Sequence, residues 1–153
     1  FTIPQGNTGT AAPVSLLSAY STPPQSGTNG GALLFDQNGL SYGTDISHAA
    51  GSSTVTVNEP GVYSVTFQGS FSPVSGATFP QSVGVSLEQN GSVVPGATSQ
   101  YIFHTSAQTA PLSFHTAVAV STAPAQLQVV GAGNNYLYST IGLTVYRLGD
   151  IPS

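Results

Sequence analysis

The sequence predicts an all-β sandwich or jelly roll, and three observations carry that expectation. No stretch holds the 3.6-residue period of an amphipathic helix. Apolar residues instead alternate with polar ones, most clearly where Tyr63, Val65, Phe67 and Phe71 fall on one side of a strand and Ser64, Thr66, Gln68 and Ser70 on the other. Glycine and proline, 18 and 11 of the 153 residues, cut the chain into short runs.

Residues 1–13 carry Pro4, Gly6, Gly9 and Pro13 and read as a linker, so the expected domain spans 14–149, with a short tail at 150–153. Val14 to Tyr20 is the first expected strand. Residues 21–31, with Pro23-Pro24 and three glycines, read as a loop. Leu33 to Phe35 reads as a short buried strand ahead of a turn, Asp36-Gln37-Asn38-Gly39. Val55 and Val57 alternate with threonines up to the turn Glu59-Pro60-Gly61, which opens the strand around Phe67. Val83, Val85 and Leu87 run into Asn90-Gly91, a strong two-residue hairpin signal. Val93-Val94 and Tyr101 to Phe103 follow. Leu112, Phe114, Val118 and Val120 then alternate with Ser113, His115, Ala117 and Ala119, and Leu127 to Val130 comes after Pro124.

The last strand, 139–148, is apolar on both faces. Ile141, Leu143 and Val145 share one side, while Tyr146 and Leu148 lie on the other. A sandwich needs only one apolar face per strand. The surplus face predicts burial against another copy of the chain.

Composition excludes several functions. At 153 residues the chain fits one domain that buries its own core without metal or disulfide. It has no cysteine, hence no disulfide framework and no thiol chemistry. Charged residues make up 4%, against about 25% in ordinary soluble proteins. Arg147 is the sole Lys or Arg, which leaves no means of neutralising nucleic-acid phosphates or anionic lipid headgroups. The hydrophobic fraction of 39% comes in ordered runs, so a packed core is expected rather than a disordered polar tract. No apolar run reaches the roughly 18 residues of a membrane-spanning helix. Phe1 and the lack of methionine fit a segment of a longer protein. A surface of Ser, Thr, Asn, Gln and Gly suits an extracellular setting.

Enzyme and ligand motifs are thin. Gly39-Leu40-Ser41-Tyr42-Gly43 matches G-x-S-x-G, but a nucleophile elbow needs a strand–turn–helix setting, and the surroundings read as β. Asp36 and Asp45 are candidates for paired carboxylates or calcium ligands, set against ordinary turn chemistry at Asp36. His48, His104 and His115 lack zinc-site spacing. His115, if it sits near a threefold axis, is a candidate for a metal site made by repetition, against a hydrogen-bonded contact histidine. Asn90-Gly91-Ser92 is a glycosylation sequon that the hairpin alone explains. Tyr101, Tyr136 and Tyr138 are candidates for an exposed, glycan-binding aromatic patch, set against packing in the core. No catalytic, cofactor or metal site is assigned.

Three segments carry a family resemblance: Asn58-Glu59-Pro60-Gly61-Val62-Tyr63-Ser64-Val65-Thr66-Phe67, then Leu87-Glu88-Gln89-Asn90-Gly91-Ser92-Val93-Val94-Pro95-Gly96, and Leu143-Thr144-Val145-Tyr146-Arg147-Leu148. With them the chain resembles the C-terminal globular domains of bacterial collagen-like proteins, including spore exosporium glycoproteins, which are similar to C1q and tumour-necrosis-factor domains. The resemblance covers roughly residues 14–149. It implies a jelly roll of about ten strands forming a homotrimer at the end of a collagen stalk. Pro4-Gln5-Gly6-Asn7-Thr8-Gly9 fits the last turns of such a stalk, since Gly6 and Gly9 are three apart. The resemblance also implies that the strands at 62–71, 112–120 and 139–148 share the sheet that makes the trimer contact. Their non-core residues Ser64, Thr66, Gln68, His115, Ala117, Ala119, Tyr146 and Leu148 are then the candidate interface. The function implied is a non-enzymatic trimerisation and capping domain on a bacterial cell or spore surface, with a receptor- or glycan-binding head as the alternative.

With five acids, three histidines and one arginine, few groups can bind protons differently in the folded and unfolded states. The melting temperature is expected to stay nearly flat between roughly pH 5 and 9 and to respond little to salt. Calorimetry across that range checks this; a steep fall on mild acidification would expose a buried ionisable network.

Overall fold

The computed structural model describes residues 14–152 and contains, among them, eleven strands and no helix. The expected linker at 1–13 and its collagen-like glycines lie outside the described residues. In chain order the strands are β1 (Leu16–Ser21), β2 (Gln25–Gly27), β3 (Gln37–Tyr42), β4 (Ile46–Ser47), β5 (Val55–Val57), β6 (Gly61–Pro73), β7 (Gln81–Gln89), β8 (Ser92–Phe103), β9 (Ala110–Val120), β10 (Ala125–Gly133) and β11 (Tyr136–Gly149). They form two antiparallel sheets. The first runs β3-β1-β11-β6-β9, with β2 also paired to β11; the second runs β4-β5-β10-β7-β8. Every sheet neighbour except the β7–β8 and β4–β5 pairs comes from a distant part of the chain, as a jelly roll requires.

The core lies between the sheets and is built by the expected alternation. Tyr63, Val65, Phe67 and Phe71 are fully buried, as are Val85, Leu87, Leu127 and Val129 from the facing sheet. Phe67 stacks on Phe114 with ring centroids 5.3 Å apart and meets Phe35 edge-on at 6.5 Å. The Tyr63 hydroxyl donates to the Glu59 carbonyl at 2.6 Å, pinning the 59–61 turn to the strand it opens. Asn90 and Gly91 have φ of 52° and 84°, both left-handed, which is the backbone a two-residue hairpin needs.

Several boundaries differ from the expectation. The segment 36–39 is no turn: β3 is a strand along the edge of the first sheet, exposed throughout. Its Gln-Asn-Gly start, just after Asp36, carries turn chemistry, yet β1 offers an open edge to pair with. A bulge between Leu17 and Ala19 lets the Ser18 hydroxyl accept from the Leu40 amide at 3.0 Å, across Gly39, which has no Cβ to block it. The loop at 21–31 contains β2, paired to the start of β11. Leu33 and Phe35 are buried, but their segment is joined to β10 by a short run of bonds rather than a full ladder: an Ala32–Val130 bridge, a Leu33 N–H to Val129 carbonyl bond of 2.8 Å, and bonds of Gly30 and Gly31 to Gly131 at 2.8 and 2.9 Å. Val93-Val94 and Tyr101–Phe103 are parts of one strand, β8, which accepts Pro95 because it is an edge.

One core contact needs glycine. The Tyr136 ring lies against the backbones of Gly27 and Gly131, and a Cβ on either glycine would overlap it. Gly131→Ala is therefore expected to destabilise the domain by about 1–3 kcal/mol, the usual cost of overpacking. The double variant Gly131→Ala/Tyr136→Phe removes the overlapping hydroxyl and should regain part of that loss in chemical denaturation. A neutral Gly131→Ala would show that Tyr136 has room to move.

Candidate functional site

The face of the first sheet that points away from the core is assembled by strand register. Tyr42 of β3, Leu16 of β1, Tyr146 of β11, Ser64 of β6 and Ala117 of β9 form one row across all five strands. The next row is Ser18, Thr144, Thr66 and His115, and the third is Gln37, Tyr20, Gly142, Gln68 and Ser113. Ala119 aligns with Val62 and Gly149, and Leu148 sits in the bulge between Arg147 and Gly149.

The structure thus brings the eight candidate interface residues onto one face. Tyr146 is 39% exposed and Leu148 56%, while Ile141, Leu143 and Val145 are buried behind them. Thr66, Gln68, His115, Ala117 and Ala119 are also exposed. Ser64 differs: it points outward but is only 3% exposed, and its hydroxyl pairs with His115 Nε2 at 2.9 Å. Sequence reasoning missed the far side of this face. Tyr20, Leu40 and Tyr42 are 42%, 59% and 55% exposed and extend the apolar surface beyond β11, with Leu16 half-buried among them. The alternation Leu16-x-Ser18-x-Tyr20 signalled β1's contribution; the turn reading of 36–39 hid β3's.

The face carries no free charge. β1, β3, β6 and β9 contain no Asp, Glu, Lys or Arg. Arg147 is held at the edge: it donates through Nη2 to the Pro60 carbonyl at 2.9 Å and to Asp150 at 2.6 Å, and its Nε lies 3.9 Å from Asp45. Asp45 in turn accepts from the Ser15 hydroxyl at 2.8 Å.

The remaining candidates resolve into structural roles. Ser41 lies in β3, opposite Leu17, in a strand setting rather than a strand–turn–helix elbow. Asp45 serves Arg147 and Ser15 and is not paired with Asp36 as a carboxylate couple. Among the described residues no three His, Asp or Glu side chains gather into a metal cluster. Asn90 Oδ1 accepts the Gln126 amide at 2.8 Å, a use of the side chain that belongs to the hairpin. The aromatic patch is not formed. Tyr136 and Tyr138 are core residues, 0% and 3% exposed, because the register shift between Ser139 and Gly142 reverses the alternation along β11 and turns the residues before it inward; only Tyr101, at 37%, reaches the surface. The Tyr138 hydroxyl accepts from the Leu34 amide and donates to Gln25 Oε1. The Tyr136 hydroxyl is buried with no partner among the described residues.

No protein-family model matches the chain, and no curated protein matches its sequence. Solved structures do. The chain is similar to the Eiger TNF of S. frugiperda, with a TM-score of 0.67 at 10% identity over 92% of this chain and 96% of that one. It is similar to the globular domain of a zebrafish complement 1qA protein, with a TM-score of 0.64 at 12% identity, covering 90% of this chain and 99% of that chain. Murine APRIL superposes with a TM-score of 0.65 at 18% identity, over 88% and 99% of the two chains. The fold is the C1q/TNF jelly roll. Among the described residues no helix is long and apolar enough to cross a membrane.

Burial pushes the Tyr136 phenol up to about 12, with the neighbouring Tyr138 as a lesser cause; burial likewise raises Tyr63 and Tyr138. In the unfolded chain these phenols ionise near 10. The stability they carry is therefore intact below pH 10 and is lost as pH rises towards 12, where the unfolded state sheds protons first. Tyr136→Phe is expected to hold its neutral-pH stability to within about 1 kcal/mol, since the lost hydroxyl makes no bond, and to flatten the alkaline decline. Thermal melts from neutrality to strong alkali check both; a large loss at neutral pH would reveal a partner for the hydroxyl.

Proposed function

We propose that this domain is a non-enzymatic homotrimerisation module that caps and registers a collagen-like stalk on a bacterial cell or spore surface. The observation that carries the reading is the uncharged, partly apolar outer face of the first sheet, centred on Tyr146, Leu148, Leu16 and Tyr42. A solvated face with this composition is unusual; burial against other copies removes its apolar area from water with no charge to desolvate. The C1q/TNF fold and the sequence resemblance supply the number three.

Threefold symmetry demands a heterologous contact, in which one patch meets a different patch of the next copy. A complementary patch lies beside the face. Where the β7–β8 hairpin leans on β9, Val93, Val94 and Pro95 line a crevice of about 480 Å3 with Ala117, Val118 and Ala119. Gln89 Nε2 fixes its floor by donating to the Ala119 carbonyl at 3.2 Å. Small alanines at the rim and an exposed Val93 suit the reception of an aromatic side chain such as Tyr146 from a neighbour. The glycines at positions 6 and 9 support a stalk ahead of the domain. Holding three chains at one end raises their effective concentration and removes most of the nucleation cost of a triple helix.

Permanent oligomers commonly bury about 2,000 Å2 or more, enough to make the free protomer unstable. Light scattering is expected to give three times the 15.4 kDa chain mass. Tyr146→Asp places an unpaired charge in the contact at a cost of several kcal/mol while leaving Ile141, Leu143 and Val145 in place, so it should dissociate the trimer and lower the melting temperature. A native mass of one chain overturns the reading. A Tyr146→Asp variant that stays trimeric at an unchanged melting temperature shows that the contact uses another face.

A further inference from the structure

The second sheet faces solvent on the side opposite the proposed contact, and one end of it is hollowed. Ser47, His48, Ala49, Ser52, Thr54, Thr56 and Gln126 line a groove of about 530 Å3. We propose that this groove binds a neutral carbohydrate, with Ser47, Thr56 and Gln126 as the hydrogen-bonding row and His48 as a fixed wall.

Register builds the row. Ser47 pairs with Thr56, and Thr56 with Gln126, so a hydroxyl, a second hydroxyl and a carboxamide stand side by side on three adjacent strands. Two strand spacings make the row about 10 Å long, the reach of a disaccharide. Among the described residues, the side chains of Thr56 and Gln126 make no hydrogen bond and the Ser47 hydroxyl only accepts one, from Asn58 Nδ2 at 3.3 Å, which leaves its O–H to donate. Their neighbours are occupied, the Ser52 hydroxyl accepting from the Thr54 amide at 3.0 Å and Gln128 donating to Thr54 at 2.9 Å. The His48 ring lies between two protein acceptors, Asn38 Oδ1 at Nδ1 and the Ser52 carbonyl 2.8 Å from Nε2, of which the neutral ring can donate to one, and Phe35 packs edge-on against it with centroids 6.2 Å apart. Asn38 is itself held, donating from Nδ2 to the His48 carbonyl at 2.9 Å. A wall fixed in advance lowers the ordering cost of binding.

Chemistry selects the ligand class. The lining holds no Asp, Glu, Lys or Arg, and both ring nitrogens of His48 are turned to protein oxygens, so the groove offers no carboxylate to a cation and no free N–H of His48 to an anion. Ala49 is its one aliphatic side chain, too little for an apolar ligand. What remains is a neutral molecule with hydroxyls a few ångströms apart and an apolar C–H face for a ring to touch. A shallow, solvent-open groove of this kind binds weakly per site. Three copies on one particle would gain by avidity, but the site itself stands whether or not the domain trimerises.

The test is an amide NMR titration with the methyl glycosides of glucose, galactose, mannose and N-acetylglucosamine, each at millimolar concentration, alongside a light-scattering mass that reports assembly separately. Shifts confined to residues 47–56 and 126 with at least one probe are expected. Affinity should weaken about tenfold or more in Thr56→Val/Gln126→Ala, with the melting temperature and mass unchanged. Thr56→Val alone, nearly isosteric on a strand surface, covers the event that the double variant misfolds. Absence of shifts with all four probes overturns the proposal, as do shifts that persist in the folded variants or map instead around Tyr101.

Discussion

The constraint on which the rest of the structure depends is the double pairing of β11. Along one edge it is bonded to β6 over nearly its whole length; along the other it pairs first with β2 and then with β1. A strand held on both sides has no freedom to slip, because a one-residue shift would turn Ile141, Leu143 and Val145 outward and Tyr146 inward. The change of partner occurs at a bulge between Ser139 and Gly142, where Thr140 adopts a left-handed φ of 51° that a β-branched residue rarely takes. The Thr140 amide, released from the ladder, donates to the Thr22 carbonyl at 3.1 Å. The local backbone strain is tolerated because it lets one strand serve both halves of the sheet.

Charge scarcity has two structural consequences. The first is that the single arginine is spent on closure: Arg147 draws together the 59–61 turn, Asp45 and Asp150 just past β11, while its own amide donates to the Ser15 carbonyl at 3.0 Å. The start of β1, the start of β6 and the end of β11 meet there. The second is that the outer face of the first sheet bears no charge to repel a neighbour, and that of the second has Glu88 of β7 but no charged side chain in the groove. One face is then free to be apolar and the other to be hydroxyl-rich, and the two readings drawn from them, self-association and recognition of a neutral polyol, occupy opposite sides of the sandwich.

Much of this was legible in the amino-acid order. Alternation over 62–71, 112–120 and 139–148 assigned the long strands and their buried faces, because side chains in a strand have no choice but to change sides at each residue. Asn90-Gly91 marked its hairpin for an equally local reason, the low cost of left-handed backbone at those two residues. The surplus apolar face at Tyr146 and Leu148 followed from the same arithmetic. The resemblance carried by 58–67, 87–96 and 143–148 added the jelly-roll topology, which periodicity alone does not specify.

Tertiary structure decided what depends on neighbours distant in the chain. Residues 36–39 have turn propensity, and only the open edge of β1 makes β3 a strand there. Tyr136 and Tyr138 are polar enough at one end to be surface residues; Gly27, more than a hundred residues away, and Gly131 on the preceding strand provide the space that buries Tyr136. Ser64 reads as exposed from its alternation and is covered by His115, 51 residues away. The groove of Ser47, Thr56 and Gln126 had no trace in the sequence, since three commonplace polar residues become a row only when β4, β5 and β10 pair in register. Sequence by itself determined the strands and their inward faces, because those follow from local backbone geometry; the surfaces on which function rests were decided by pairing across the fold.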